Sequence, residues 1–254
     1  MTVPAPVISV QSLHKRFGQQ IVLNGLALDI YPGEIIAIVG RSGTGKSVLL
    51  KHLCGLLRPD SGSVLIDGED IHQTRGRNLS RLRERFGMLF QGGALFDSLT
   101  VAENIAFPLR EKTKMSAQEI QQVVAEMLQD VGLEGVDNKL PDELSGGMRK
   151  RVALARALAH HPDIILFDEP TTGLDPILVN AIHQLIYETH AQFGYTAVIV
   201  SHEIPRIFNI TTRVAMLHNG VIVEVAPPDE FQHSANPAVQ QLITGHLEGP
   251  LQVT

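Results

Sequence analysis

Residues 40–47 read GRSGTGKS and fit the pattern G-x-x-x-x-G-K-[ST], which is typical of a phosphate-binding loop. Glycines in this pattern let the backbone turn tightly and aim N–H groups at phosphate oxygens. An apolar run at 34–39 predicts a buried strand before the loop, and helical apolar spacing at 47–54 predicts a helix after it. Because a helix N-terminus favours anions, this order indicates a site for a nucleoside triphosphate.

Each polar group of the loop has an expected partner on the nucleotide. Lys46 would neutralise the β- and γ-phosphates, and the Ser47 hydroxyl would ligate Mg²⁺. ATP and Mg²⁺ are therefore the expected cofactors. The residues expected to bind the triphosphate are Gly40, Ser42, Gly43, Gly45, Lys46 and Ser47.

Two acidic residues and a histidine follow the next buried strands. Asp168 and Glu169 come directly after the apolar run 164–167, and His202 follows the apolar run 196–200. Strand ends in such sheets converge on the ligand. We expect Asp168 to hold Mg²⁺ through water, Glu169 to polarise the attacking water and His202 to contact the γ-phosphate. The alternatives are an acidic turn without function and a structural histidine.

A second anion-binding surface is predicted at the start of a helix near residue 145. Ser145 can cap this helix, while Gly146 and Gly147 expose backbone N–H groups at its positive end. One chain cannot easily turn this surface and the loop at 40–47 onto the same nucleotide. Two copies packed head to tail could instead enclose two ATP molecules between opposed surfaces.

Composition limits the remaining function classes. The chain has 254 residues and a net charge of −6, which argues against a nucleic-acid partner, and its single cysteine excludes an internal disulfide. No apolar run approaches the ~20 residues that a membrane-spanning helix needs. The N-terminal residues show neither a charged leader nor a long apolar core, so no signal peptide is expected and the cytoplasm is the predicted compartment.

Periodicity predicts an α/β chain with a helical segment. Alternating residues at 7–15 and 21–30 indicate antiparallel strands, with Phe17 on the loop between them. Capping-box patterns at 100–103 and 116–119 each predict the start of a helix. The expected division is 1–91 for the β subdomain and first part of the nucleotide-binding core, 92–160 for a helical subdomain, 161–235 for the second part of the core and 236–254 for a tail.

Taken together and in this order, the motifs resemble those of the ATPase subunit of an ABC transporter. The resemblance rests on the phosphate loop, Gln91, residues 144–148, 168–169 and 173–175, and His202. It implies a P-loop (RecA-like) core sheet with an antiparallel β subdomain and an α-helical insert. It also implies ATP hydrolysis coupled to transport, a head-to-tail dimer and an integral membrane permease as partner, with the ATPase bound peripherally at the cytoplasmic face of the inner membrane.

Further residue roles come from the same resemblance. Phe17 is expected to stack on adenine, and Gln91 to sense both Mg²⁺ and the attacking water. Ser145 and the two glycines after it are expected to contact the γ-phosphate held by the other protomer. Asp175 is expected on the loop that links the two sites.

Shorter motifs indicate a particular branch of the ABC transporter family. Met148 stands where most of the family has Gln, and residues 88–96 and 106–111 resemble the Mla-type branch. That branch implies phospholipid transport with a permease, an MCE-domain lipid-binding protein and a further accessory subunit. The alternatives are an importer ATPase for another small solute and a soluble ABC ATPase acting on DNA or ribosomes. An apolar groove for a permease helix is expected around Leu95, Phe96, Leu99 and Phe107, and the alternative is that these are core residues of the helical segment.

Overall fold

The computed structural model describes residues 4–252, which form two units. The first unit comprises the chain up to Arg83 and from Thr196 onward, and the second comprises Glu84–Tyr195. The four-part division expected from the sequence stays a prediction, and residues 1–3 and 253–254 at its two ends lie outside the described residues.

The strands and helices predicted above are present, with shifts of one or two residues at their ends. The strands are β1 (Ile8–Phe17), β2 (Gln20–Ile30), β3 (Ile35–Val39), β4 (Ser61–Ile66), β5 (Glu69–Asp70), β6 (Phe86–Leu89), β7 (Ile164–Asp168), β8 (Thr196–Val200), β9 (Arg213–His218) and β10 (Val221–Ala226). The α-helices are α1 (Lys46–Leu53), α2 (Gly76–Glu84), α3 (Val101–Lys112), α4 (Ala117–Asp130), α5 (Gly146–Leu158), α6 (Pro176–Phe193), α7 (Pro228–Gln232) and α8 (Pro237–Thr244). The sequence reading missed β5 and two short 3₁₀ helices, Pro141–Glu143 and Arg206–Asn209.

Parallel strands at the centre of the first unit position the phosphate loop. β3 lies between β8 and β9 and runs parallel to both, and β10 pairs antiparallel with β9. Every residue of β3 and β8 is buried, which is why both read as continuous apolar runs. The carboxyl ends of β3 and β8 therefore deliver the residues that follow them to the same edge.

An antiparallel sheet of order β2-β1-β4-β5 completes the strands of the first unit. β2 alternates between buried and exposed residues over most of its length, as the sequence predicted, whereas bulges interrupt the alternation in β1. Phe17 was expected on a loop, and this prediction is wrong. It is the last residue of β1 and pairs with Gln20, because the turn between the two strands is only two residues long.

The second unit combines the parallel pair β6 and β7 with helices α3–α6. Both predicted capping boxes are present at Thr100 and Ser116. The Thr100 hydroxyl accepts from the Glu103 N–H at 3.2 Å, and the Glu103 carboxylate accepts from the Thr100 N–H at 2.8 Å. The hydrogen bond from the Thr100 N–H to the carboxylate is the main cause that lowers the pKa of Glu103. The sequence after residue 92 has helical periodicity because α3, α4 and α5 follow one another there, each with a side-chain cap at its start.

The last part of the chain folds back on α8. Gln241 accepts from the Leu251 N–H at 2.7 Å and donates to the Leu251 carbonyl at 3.1 Å. Leu251 is buried, so this segment is packed within the first unit. Within residues 4–252, none of the helices combines the length and the apolar character that crossing a lipid bilayer requires.

Candidate nucleotide site

The phosphate loop joins β3 to α1, and its glycines are required by geometry. Gly40 has a φ of 152°, and a Cβ there would lie 2.4 Å from the Leu217 carbonyl oxygen. Gly45 has a φ of 101°, and its Cβ would lie 2.7 Å from a methyl carbon of Val22. Any larger residue would therefore displace the loop from the strands behind it, and the cradle for an anion would open.

Lys46, the first residue of α1, folds back over the loop. Its ammonium group donates to the Gly40 and Arg41 carbonyls, each at 2.9 Å. The side chain is only 4% exposed, so its charge sits in a site of reduced dielectric. Ser47 is the second residue of α1, where its hydroxyl stands beside the helix N-terminus. This arrangement suits a polyphosphate, with backbone N–H groups and one buried cation around it.

A cavity of about 380 Å³ borders the loop within the first unit. Its walls are residues 20–22 and 24 of β2, residues 41–44 of the loop, among them Ser42 and Gly43, and the turn at 218–220. Phe17, at the end of β1, is 48% exposed, and the Lys15 ammonium lies 5.5 Å from the centre of its ring. An exposed aromatic face on the loop's own unit is available for stacking on a flat base.

His202 lies two residues beyond the end of β8. Since Ile38 of β3 pairs with Val200 of β8, Gly40 and His202 leave the sheet at the same edge. The imidazole Nε2 lies 3.8 Å from a carboxylate oxygen of Glu203, and the side chain is 45% exposed. The structure thus brings His202 to the edge of the sheet where the phosphate loop begins.

In the second unit, Gln91 and Glu169 meet at the ends of β6 and β7. Leu89 pairs with Phe167, so both residues lie two positions beyond a paired position. The Gln91 amide donates to the Glu169 carboxylate at 3.2 Å, and the Thr172 hydroxyl donates to the same oxygen at 2.9 Å. Glu169 has a φ of 48°, a strained conformation of the kind that functional sites often hold.

Asp168 and Glu169 share a buried cationic neighbour. Asp168 is 7% exposed and Lys150, on α5, is likewise 7% exposed. Desolvation lowers the pKa of Lys150, while the charges of Glu169 and Asp168 act in the opposite direction. The Lys150 ammonium donates to the Gln91 carbonyl. The three predicted residues Gln91, Asp168 and Glu169 are therefore grouped around a lysine that the sequence reading did not single out.

The helix cap predicted at Ser145 is present. The Ser145 hydroxyl accepts from the Met148 N–H at 3.3 Å, and α5 begins at Gly146. Cβ atoms at Gly146 and Gly147 would come within 3.4 Å of the Leu174 and Leu178 side chains. A Cβ at either glycine would thus be in ordinary van der Waals contact with the segment around residue 175, while Ser145 itself is exposed.

Asp175 itself caps α6. Its carboxylate accepts from the Ile177 and Leu178 N–H groups at 2.9 and 3.1 Å. A negative charge at a helix N-terminus is stabilising, so Asp175 has a structural role in addition to the role expected from the sequence.

An apolar groove of about 320 Å³ lies elsewhere in the second unit. Phe96 and Phe107 line it with their ring centres 4.7 Å apart, whereas Leu95 and Leu99, also expected there, do not line it. Lys112 and His160 lie at the same groove, with 3.4 Å between their side-chain nitrogens. Burial, together with the Lys112 charge, lowers the pKa of His160 to about 4, so its imidazole is neutral at pH 7.

Three groups of the second unit were not found from the sequence: Lys150, Thr172 and Arg156, which donates to the Gly93 and Ala94 carbonyls. Lys150 and Arg156 belong to α5, and a basic side chain on a helix is ordinarily exposed to solvent. Thr172 stands in a turn after the acidic pair. Their contacts depend on how the chain folds back on itself, for which no local pattern exists.

The chain is similar to known proteins over almost its whole length. The family model described as "ABC transporter" matches residues 23–172. The probable ribonucleotide transport ATP-binding protein mkl of Mycobacterium leprae is 46% identical, with 96% of this chain and 70% of the relative covered. The intermembrane phospholipid transport system ATP-binding protein MlaF of Haemophilus influenzae is 39% identical, with 97% of this chain and 93% of the relative covered.

Among solved structures, the ATP-binding cassette MJ0796 shares the fold with a TM-score of 0.79 and 34% identity. The similarity covers 87% of this chain and 98% of that one, and the solved structure is a dimer in a post-hydrolysis state bound to ADP and phosphate. The fold class predicted from the sequence is confirmed by this likeness.

Proposed function

The chain belongs to the ABC transporter family, and we propose that it is the ATP-hydrolysing subunit that drives phospholipid movement between the inner and outer membranes. The observation that supports this cargo is the likeness to MlaF, which extends over 97% of the chain and 93% of that relative. The proposal assigns the enzyme activity to the loop at 40–47 and to the groups around Glu169.

Hydrolysis is assigned to residues at the ends of the strands. Glu169 polarises the attacking water and Gln91, whose amide already contacts its carboxylate, orients that water. Lys46 meets the β- and γ-phosphates, His202 contacts the γ-phosphate and Phe17 stacks on adenine. Thr172 holds the Glu169 carboxylate through its hydroxyl, which donates to the same oxygen as the Gln91 amide.

Each unit offers oxygen donors of the kind that would hold a magnesium ion. Ser47, Gln91 and Asp168 present hydroxyl, amide and carboxylate oxygens, which are hard ligands of the kind that Mg²⁺ prefers. When bound, the ion neutralises charge on the phosphate oxygens. Asp168, buried at the end of β7, is kept in a fixed position to receive it.

Two copies of the chain are needed for a complete site. Ser145, Gly146 and Gly147 of one copy face the γ-phosphate bound to the loop of the other, and Asp175 lies on the segment that links the two sites. The dimeric state of the MJ0796 cassette supports this arrangement. ATP favours the closed dimer because both copies bind its phosphates, and hydrolysis removes that preference.

The groove around Phe96 and Phe107 receives a short cytoplasmic helix of an integral membrane permease. The groove is apolar, its two aromatic rings are 42% and 38% exposed, and the cation Lys112 at its edge suits a helix that carries a carboxylate. An MCE-domain lipid-binding protein and a small accessory subunit complete the assembly. The chain itself stays peripheral at the cytoplasmic face of the inner membrane, without a nucleic-acid partner.

Substituting Phe96 by Asp is expected to break this contact, because a carboxylate would be buried in the groove. Co-purification of the chain with its permease from membranes should fall at least about tenfold, which corresponds to ~1.4 kcal/mol. Tyr187→Asp is the matched control, since Tyr187 is 50% exposed on α6 of the same unit but does not line the groove. Equal recovery of permease with both variants would argue against the groove as the docking site.

Substituting Met148 by Gln is expected to change ATPase activity by less than about tenfold, or ~1.4 kcal/mol of barrier. The Ser145 hydroxyl and the two glycine N–H groups remain in either case, and a thioether offers only a weak acceptor. Steady-state turnover at saturating ATP measures the effect. Complete inactivation would show that Met148 has a specific role.

The cargo is tested by the molecules that co-purify with the intact membrane complex. Phospholipid bound in stoichiometric amount, together with lipid-stimulated ATP hydrolysis, is the expected result. The second candidate is an importer of another small solute, which the ribonucleotide transport name of the mkl relative favours. Stimulation by a ribonucleotide and by a solute-binding partner, with no response to phospholipid, would replace the first proposal with the second.

A further inference from the structure

Side chains of α5 hold the segment that carries Gln91 at three main-chain carbonyls. Arg156 donates to the Ala94 carbonyl at 2.7 Å and to the Gly93 carbonyl at 2.8 Å. Lys150 donates to the carbonyl of Gln91 itself. Residues 91–96 form no helix or strand, so these bonds define the path of their backbone.

Lys150 joins this segment to the hydrolytic carboxylates. Its side chain is almost fully buried, and the charges of Glu169 and Asp168 favour its ammonium form against the cost of burial. The Gln91 amide in turn lies 3.2 Å from the Glu169 carboxylate. Lys150 therefore contacts the main chain of the residue whose side chain meets Glu169, and it is coupled electrostatically to Glu169 itself.

In the proposed dimer, the same helix begins at the surface that faces the other copy of the chain. Ser145 caps α5, and Lys150 follows Gly146 by four positions, which corresponds to a rise of about 6 Å. Since α5 is a continuous helix of 13 residues, a displacement of its first turn also displaces Lys150. No flexible link separates the two ends of this path.

We propose that Lys150 is a positioning residue that couples the nucleotide bound against Ser145 to Gln91 and Glu169 of the same chain. This inference rests on the proposed function. Nucleotide held by the partner draws in the first turn of α5, and Lys150 then moves the Gln91 main chain relative to Glu169. The occupancy of one nucleotide site thereby affects the geometry of the other. Arg156 keeps the rest of the segment attached to α5.

The test is ATPase kinetics of the full chain in its dimeric complex. Lys150→Met should lower kcat by about 10- to 100-fold, because small misplacements of positioning groups have effects of this size. The KM for ATP should stay within about threefold, since the phosphate loop is untouched, and the Hill coefficient should fall toward one. Lys150→Arg retains a cationic donor and should recover most of the rate, while Lys150→Gln, with a donor and no charge, should lie between.

Lys114→Met is the matched control, because Lys114 is an exposed lysine of the same unit. Kinetics of Lys150→Met equal to those of Lys114→Met would overturn the inference, as would a Lys150→Arg variant impaired as severely as Lys150→Met. If Lys150→Met does not fold, the order of the Arg and Gln variants decides. Full turnover by Glu169→Gln would instead overturn the hydrolytic assignment, independently of Lys150.

Discussion

Replacing Glu169 by Gln is expected to leave ATP binding intact and to lower turnover by about 10²- to 10⁴-fold, the usual contribution of a positioned general base. The amide retains the size of the side chain and its contacts with Gln91 and Thr172, which lie at 3.2 and 2.9 Å from the native carboxylate. It cannot accept a proton from water. Bound ATP should therefore persist and hold the dimer closed.

Two measurements check this result. Single-turnover hydrolysis gives the rate, and size-exclusion chromatography with ATP shows whether the variant elutes as a dimer. Glu134→Gln is the control, because Glu134 is an exposed carboxylate of the second unit. Wild-type turnover in the Glu169 variant would remove this residue as the group that activates water.

Replacing Lys46 by Ala is expected to weaken ATP binding by about 10- to 150-fold, which corresponds to the ~1.5–3 kcal/mol of a charge-assisted hydrogen bond. The ammonium group is the buried cation of the phosphate loop, and its removal also leaves the Gly40 and Arg41 carbonyls without this donor. Hydrolysis at subsaturating ATP should fall by at least the same factor.

Calorimetric titration of each variant with ATP and Mg²⁺ measures the affinity. Lys51→Ala provides the comparison, since Lys51 lies on the exposed side of the same helix α1 and loses the same charge. Wild-type affinity in Lys46→Ala would mean that the loop at 40–47 does not carry the triphosphate.

The secondary structure of this chain was predictable because its signals are local. Buried parallel strands such as β3 and β8 are unbroken apolar runs in the sequence. The starts of α3 and α4 were predictable because Thr100 and Ser116 each stand three residues before a glutamate, which is the pattern of a reciprocal cap. The two-residue strand β5 has no periodicity of its own and was missed. Phe17 was misplaced because the tightness of the turn after it depends on pairing with Gln20, not on composition.

In the candidate site, too, the groups that could be predicted are those whose signal is local in the sequence. The glycine pattern of the loop and the acidic pair at the end of β7 were visible, because their chemistry depends on residues adjacent in the sequence. The contact between Gln91 and Glu169 joins residues 78 positions apart, and the contact of Lys150 with Gln91 spans 59. Such pairs depend on strand register and helix packing, and a single sequence holds no periodic signal for them.

Turnover per chain as a function of protein concentration tests most directly whether two copies must meet to form one working site. ATPase rates are recorded alongside light-scattering mass across the range in which the isolated chain passes from monomer to dimer. The rate per chain should rise with the dimer fraction and approach zero in the monomer. A full rate from chains of strictly monomeric mass would contradict it.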